Sequence, residues 1–211
     1  MAQAAPPRLR ADALRNRERI VAAAREMLVE QGAGASLDEI ARRAGVGNAT
    51  IYRHFTDRRE LIHHVVLSVM SRAADQAEAA AAEEPDAFEA LRRFVLAAAD
   101  ERIGALCPMT SDEVDKDHPE QLAARDRLKT GIEALMTAAR ASGQLRADID
   151  VGDLLVAVTQ LTRPLPGKGG CVEFGLFVRR HLYLFLDGLR APGYTPLPGS
   201  ATTLEDLRCT P

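Results

Sequence analysis

The stretch from Ser36 to Phe55, SLDEIARRAGVGNATIYRHF, leaves a chain of this kind few ways to fold. Ser36 and Glu39 have the spacing of a capping box, in which the hydroxyl accepts from a first-turn N–H and the carboxylate reaches back to the cap. A helix therefore starts at about Leu37. Leu37, Ile40, Ala41 and Ala44 fall on its inner face, with Asp38, Glu39, Arg42 and Arg43 outside. Gly45 enters left-handed backbone space without a Cβ clash and ends the helix. Val46 supplies an apolar plug, and Asn48 to His54 makes about two more turns with Ile51 and Phe55 inward at i and i+4. Two short helices around one glycine form a helix-turn-helix pattern. The second helix leaves Asn48, Ala49, Thr50, Tyr52 and Arg53 outside.

That outer set suits a major groove. Asn can bond an adenine edge, Thr a phosphate or a thymine methyl, Arg a guanine or a phosphate, and Tyr a phosphate. Asp57 and Glu60 then form a second predicted capping box, which opens a long helix near Arg58 and sets the guanidiniums of Arg58 and Arg59 in its first turn, where a phosphate is favoured. Short helices separated by glycine also occur in bundles that never meet nucleic acid, so the turn alone does not decide the matter.

The specific run AGVGNATIYRHF followed by TDRREL resembles the DNA-binding segment of the tetracycline-repressor-type (TetR-type) transcriptional regulators, over roughly Leu9 to Met70. The resemblance implies an all-α protein, with an N-terminal three-helix DNA-binding domain and a C-terminal helical bundle for ligand binding and dimerisation. Carried over by position, it puts Gly47 at the start of the recognition helix, Asn48, Ala49 and Thr50 at its base-reading front, and Tyr52 and His54 at backbone contacts. Arg58 stands where the family usually carries a phosphate-binding Lys. Ser36 and Arg53 complete the expected DNA-contacting set. Asn48-Ala49 replaces the Lys-Gly or Gly-Gly often found there, so no relative's operator sequence transfers to this chain.

Charge is distributed as a DNA reader requires. Residues 1–60 hold 11 Lys or Arg against 8 Asp or Glu, while the remainder of the 211 residues holds 16 against 22. A net +3 head is modest, so affinity has to come from two copies on one site and from placed contacts. Arg8, Arg10, Arg15 and Arg17 lie before or early in the first helix, as DNA contacts or as an ordinary solvated basic end. The 46% hydrophobic content is ample for a core, and strand signals are scarce. No apolar run approaches the ~18 residues that span a bilayer, and Met1 to Arg10 lacks the apolar centre of a secretion signal. Cys107, Cys171 and Cys209 are odd in number and unpaired in spacing. A cytoplasmic protein with no membrane association is expected.

The pattern gives residues 1–10 as a flexible basic arm and 191–211 as a flexible Pro/Gly-containing tail, and the resemblance implies that 11–57 is the helix-turn-helix DNA-binding domain and 58–190 the helical ligand-binding and dimerisation domain. Helices are predicted over about 11–31, with Leu14, Ile20, Val21, Ala24, Met27 and Leu28 inward, and over 58–82, 86–103, 120–142, 150–162 and 171–189. Pro164 to Gly170 breaks the chain before the last of these. That helix is apolar on more than one face. It is either central in its own bundle or covered by a second copy, and the resemblance implies the second, with Leu154, Val158, Phe174, Phe177, Val178, Leu182 and Phe185 at the dimer interface. A two-fold axis would bring two recognition helices to successive grooves.

No Gly-rich phosphate loop, nucleophile elbow or metal-spaced Cys/His pair is present, so neither an enzyme nor a cofactor or metal site is expected. His63 and His64 are adjacent on a helix and face different ways, which makes them a poor metal pair. The acidic stretch Ser111 to His118 reads as a solvated connection. An effector pocket is expected among Leu91, Phe94, Val95, Leu106, Cys107, Met109, Leu128, Ile132, Met136 and Leu155, any of which serves equally well as plain core. Two functions fit: a homodimeric repressor released from a palindromic double-stranded operator by a small-molecule effector, or a helix-turn-helix protein without a ligand, acting through protein partners or as an architectural binder.

Overall fold

The computed structural model describes residues 7–31, 34–102, 115, 117–163, 174–192 and 195–207, and among these the chain is eight α-helices with no strand beyond a single isolated bridge between Leu145 and Arg190. They are α1 (Pro7–Gln31), α2 (Leu37–Ala44), α3 (Asn48–His54), α4 (Arg58–Glu83), α5 (Ala87–Asp100), α6 (Pro119–Ala141), α7 (Val151–Leu161) and α8 (Phe174–Gly188). The all-α expectation holds. The breaker at 164–170 lies outside the described residues, as do all three cysteines and the expected pocket residues Leu106, Cys107 and Met109.

Local chemistry sets most boundaries. Ser36 caps α2 with the full reciprocal box, and Gly45 closes it at φ 65°, ψ 36°. Asp86 caps α5 and Asp150 caps α7, the latter with Asp153 completing a box. At α4 the second predicted box is only half formed. Asp57 accepts from the Glu60 N–H at 2.8 Å, but the Glu60 carboxylate reaches past Asp57 to the Thr56 N–H and hydroxyl, at 2.6 and 2.8 Å.

Two termini differ from expectation. Helix α1 begins at Pro7, so residues 7–10 are helix and not arm. Proline has its φ preset and no N–H to lose, which suits a first turn. The chain beyond α8 is also not a free tail. Ala191 donates to the Gln144 carbonyl at 2.9 Å and the Arg146 guanidinium to the Thr195 carbonyl at 2.8 Å. Thr202 N–H then bonds Asp153 at 3.1 Å, and Leu204 packs on the core. Gly152 makes this docking possible, since a Cβ there would lie 2.6 Å from the Thr203 carbonyl oxygen.

Burial divides into two clusters along α4. The first joins Ile20, Ala24, Met27 and Leu28 of α1, Ile40, Ala41 and Ala44 of α2, Ile51, Phe55, and α4 as far as Val69. Leu14, predicted inward, is instead 59% exposed. It lies six residues, more than a turn and a half, N-terminal to Ile20, where the buried stripe of α1 begins. The second cluster begins at Ala77 and takes in α5 to α8. The packing division thus crosses α4 between Val69 and Ala77, where the sequence reading divided the chain at Arg58. Ala73, Ala74, Ala77 and Ala80 form a fully buried small-residue stripe that lets α6 come close. At the closest point a Cβ on Gly131 of α6 would lie 3.0 Å from the Ala77 Cβ.

Candidate nucleic-acid interface

Helix α3 is held from beneath and left open above. Ile51 and Phe55 are 1% and 2% exposed in the first core, while Asn48, Ala49, Tyr52 and Arg53 are exposed, Tyr52 at 55%. Thr50, expected outside, is only half exposed, as is His54, expected at a backbone contact. Gly47 precedes α3 in extended backbone, with open space where a side chain would be.

The polar partners show what each expected residue has to exchange. Asn48 donates from its amide to Asp38 at 2.8 Å, which orients it across the α2–α3 junction. The Ser36 hydroxyl is engaged with Glu39 both as acceptor from the N–H and as donor to the carboxylate, and that carboxylate is held below its usual range chiefly by the hydroxyl. Arg58 turns inward and donates to the Ala35 carbonyl. Arg43 is committed to Glu30 and Glu26 on α1. Arg42 and Arg53 have no ion-pair partner among the described residues, and both are exposed. Both are open to a phosphate or a guanine edge.

One positioning residue was not legible in the sequence. Arg17 of α1 donates to the His54 carbonyl at 3.0 Å, lies 4.7 Å above the Phe55 ring and contacts the His64 ring. It satisfies the last turn of α3 and stacks on the residue that anchors it. Burial, reinforced by Arg17, pushes the His64 imidazole below its ordinary pKa. The only advance signal was a run of basic residues, which marks charge and not direction. Arg15, by contrast, pairs with Asp12 at the surface.

The comparisons agree with this geometry. Residues 20–65 match the family described as bacterial regulatory proteins, tetR family. Over 59 residues the chain is 39% identical to an HTH-type transcriptional regulator of Staphylococcus aureus, a match spanning 28% of this chain and 32% of that relative. A solved TetR transcriptional regulator from Streptomyces coelicolor is 31% identical, with a TM-score of 0.64, covering 84% of this chain and 99% of the other. The chain belongs to the TetR family. It is a DNA-binding helix-turn-helix transcriptional regulator and not an enzyme. The fold also matches a TetR-like regulator from Mycobacterium smegmatis solved in complex with proflavine, at 22% identity and a TM-score of 0.63, covering 87% of this chain and 99% of that one.

The other expected sites of this TetR-family chain fall as follows. Leu91, Phe94, Val95, Ile132 and Met136 are buried together in the second core, with Leu128 and Leu155 packed against them. Of the expected dimer residues, Leu154, Val158 and Leu182 are at most 4% exposed within the chain's own core and are not available to a partner. The reason is that helical periodicity marks the inward stripe, which on α8 runs through Val178, Leu182, Phe185 and Leu186. The available apolar surface is the other side of α8: Leu176 at 68%, Phe177 at 48%, Tyr183 at 42% and Leu184 at 61%. The Phe174 side chain lies outside the description. No helix among the described residues is long and apolar enough to cross a membrane.

Proposed function

We propose that this chain is a homodimeric repressor that binds a palindromic operator and is released from it by a small-molecule effector. The observation that carries the dimer is the outer side of α8, where Leu176, Phe177, Tyr183 and Leu184 stand exposed on one helix. Large apolar side chains grouped on one exposed helix side mark a contact surface more often than scattered ones do. A two-fold contact there sets two α3 helices against successive major grooves. Asn48, Ala49 and Thr50 read base edges, Arg53 a base or phosphate, and Gly47, Tyr52, His54, Ser36 and Arg58 lie along the backbone.

The effector reading is supported by the bound proflavine in the Mycobacterium smegmatis relative and by the convergence of Leu91, Phe94, Val95, Ile132 and Met136 from α5 and α6 in the second domain. A ligand acts by favouring one arrangement of the two heads over the other. With 4% aromatic residues and no Trp, the pocket should suit a modest apolar molecule over a large flat one. Selection of bound fragments from a random DNA pool tests the operator. Enrichment of an inverted repeat of about 15 base pairs or more supports the reading, and enrichment without two-fold symmetry refutes it. A thermal-shift screen of metabolites and antibiotics tests the effector, and a ligand-free regulator would give uniformly flat shifts.

A further inference from the structure

Away from the DNA-binding face, three metal-ligating side chains that are far apart in sequence come together where α4 meets the start of α6. His63 projects from α4, His118 is the N-cap of α6, and Glu120 lies in its first turn. One ligand atom from each lies within 4.8 Å of those of the other two. His63 Nε2 and the Glu120 carboxylate are already 3.4 Å apart, and the two imidazoles meet edge to face with centroids 4.4 Å apart. A tetrahedral ion with bonds of about 2.0–2.1 Å sets its ligands about 3.4 Å apart. His63 and Glu120 already have that spacing, and exposed Glu120 and half-exposed His118 are free to close the remainder.

Gln121 supplies an independent sign. It is 1% exposed, its amide nitrogen lies 3.3 Å from His63 Nδ1 and 3.2 Å from the His63 carbonyl, and its Oε1 is buried with no hydrogen-bond partner. An imidazole that binds a metal through Nε2 carries its proton on Nδ1 and needs an acceptor there. A half-turn of the Gln121 amide supplies that acceptor, at the expense of the bond to the His63 carbonyl. The His118 ring is oriented in the complementary way: its Nδ1 accepts from the Glu120 N–H at 3.3 Å, which leaves Nε2 for an ion.

We propose that His63, His118 and Glu120 form a binding site for a divalent transition-metal ion, with Gln121 orienting His63 and a fourth position open to water. Two imidazoles and one carboxylate suit zinc, cobalt or nickel better than calcium or magnesium, which take oxygen ligands, or copper(I), which takes thiolates. The ion ties α4 to α6 one residue before His64, whose ring lies 5.7 Å from Phe55 at the end of α3. The proposal does not depend on the operator, the dimer or an organic effector.

The test uses the full-length chain without an affinity tag, stripped of metal and titrated with cobalt(II), then with zinc(II) in competition. One cobalt per chain should give the visible bands of a four- or five-coordinate ion, without the near-ultraviolet band of a thiolate ligand, and zinc should displace it. Hydrogen exchange should slow around residues 61–66 and 119–123. Glu120→Gln lies at the exposed mouth and should keep the parent's metal-free melting temperature while losing the visible bands; His118→Ala should lose the bands as well, with a metal-free melting temperature lowered by the lost cap of α6. Gln121→Ala should weaken binding about 10–100-fold. If either mouth variant fails to fold, His63→Asn takes its place in the same titration. A flat titration, bands that persist in the variants, or a thiolate band assigning the ion to cysteine would each overturn the proposal.

Discussion

Two glycines two residues apart give the same substitution opposite consequences. Gly45 sits at φ 65°, ψ 36°, with its N–H donating to the Arg42 carbonyl at 3.1 Å and the Val46 N–H to the Ala41 carbonyl at 3.0 Å. An L-residue in that conformation costs about 1–2 kcal/mol. Relaxing φ would release both hydrogen bonds, each worth about 1 kcal/mol net. A new Cβ would meet the Arg19 guanidinium at 2.7 Å, but the end of that long side chain swings away, so the cost lies in the backbone. Gly47 has φ −74°, ψ 151° and nothing within 4 Å of a Cβ. Alanine there gives up a small N-cap preference and recovers about as much from a less flexible unfolded chain, for a net change within about 0.5 kcal/mol. Gly45→Ala should therefore lower the melting temperature by about 2–4 °C per kcal/mol if the whole chain unfolds as one unit, or about 4–8 °C per kcal/mol if the head melts first. Gly47→Ala should leave it nearly unchanged. Differential scanning calorimetry of both variants decides the matter. Equal shifts, or an unshifted Gly45→Ala, would show that left-handed backbone strain does not control this turn.

The remaining predictions concern separate surfaces. Tyr52→Ala should change stability by no more than about 0.5 kcal/mol while weakening DNA binding, read by denaturation and by gel shift on the selected operator; a variant that unfolds would mean that Tyr52 is not the exposed contact described. Asn48→Ala should relax preference at one base position by about 1–3 kcal/mol, and an unaltered selected motif would remove Asn48 from base reading. Leu176→Glu with Leu184→Glu should yield folded monomers in sedimentation velocity, whereas an intact dimer would place the interface elsewhere. Gly152→Ala should expel residues 195–207 from α7 and speed their proteolysis, and an unchanged digestion rate would deny that glycine is required for the docking.

Elements whose causes are local were legible in the sequence, and elements whose causes are distant were not. The Ser36–Glu39 box, the left-handed Gly45 and the inward Ile51 and Phe55 each depend on residues within four positions, and each stands where the pattern placed it. Direction was lost wherever apolar or basic residues surround a helix. On α8 the periodic stripe through Leu182 is core, and the off-stripe Leu176 and Leu184 are exposed. Arg17 shares its composition with Arg15 yet folds back under α3, because only tertiary packing places an unpaired carbonyl and the Phe55 ring beside it. The tail looked free because Pro and Gly disfavour helix, but they do not prevent docking. Gly152 on α7 and Asp153 beside it form the seat. His63 and His118 are 55 positions apart, and nothing in their spacing shows that α4 and α6 bring them together.

The same division makes α4 the element that both cores share. Its first half belongs to the core that supports α3 and its second half to the core of α5 to α8, with small alanines where α6 presses closest. A further connection between head and body is polar. Glu101, beyond the end of α5, receives Arg25 from α1 and Arg72 from α4, and its side chain is only 10% exposed. Apolar interlocking resists displacement because each shift opens a void. Two guanidiniums on one carboxylate can exchange partners with each other and with water as they move. Under the proposed effector reading, a ligand that repacked the second core would reach the first through α4, the helix common to both. Leu61, Ile62 and Val65 at its near end share that first core with Ile51 and Phe55, so a shift of α4 would be felt at the recognition helix.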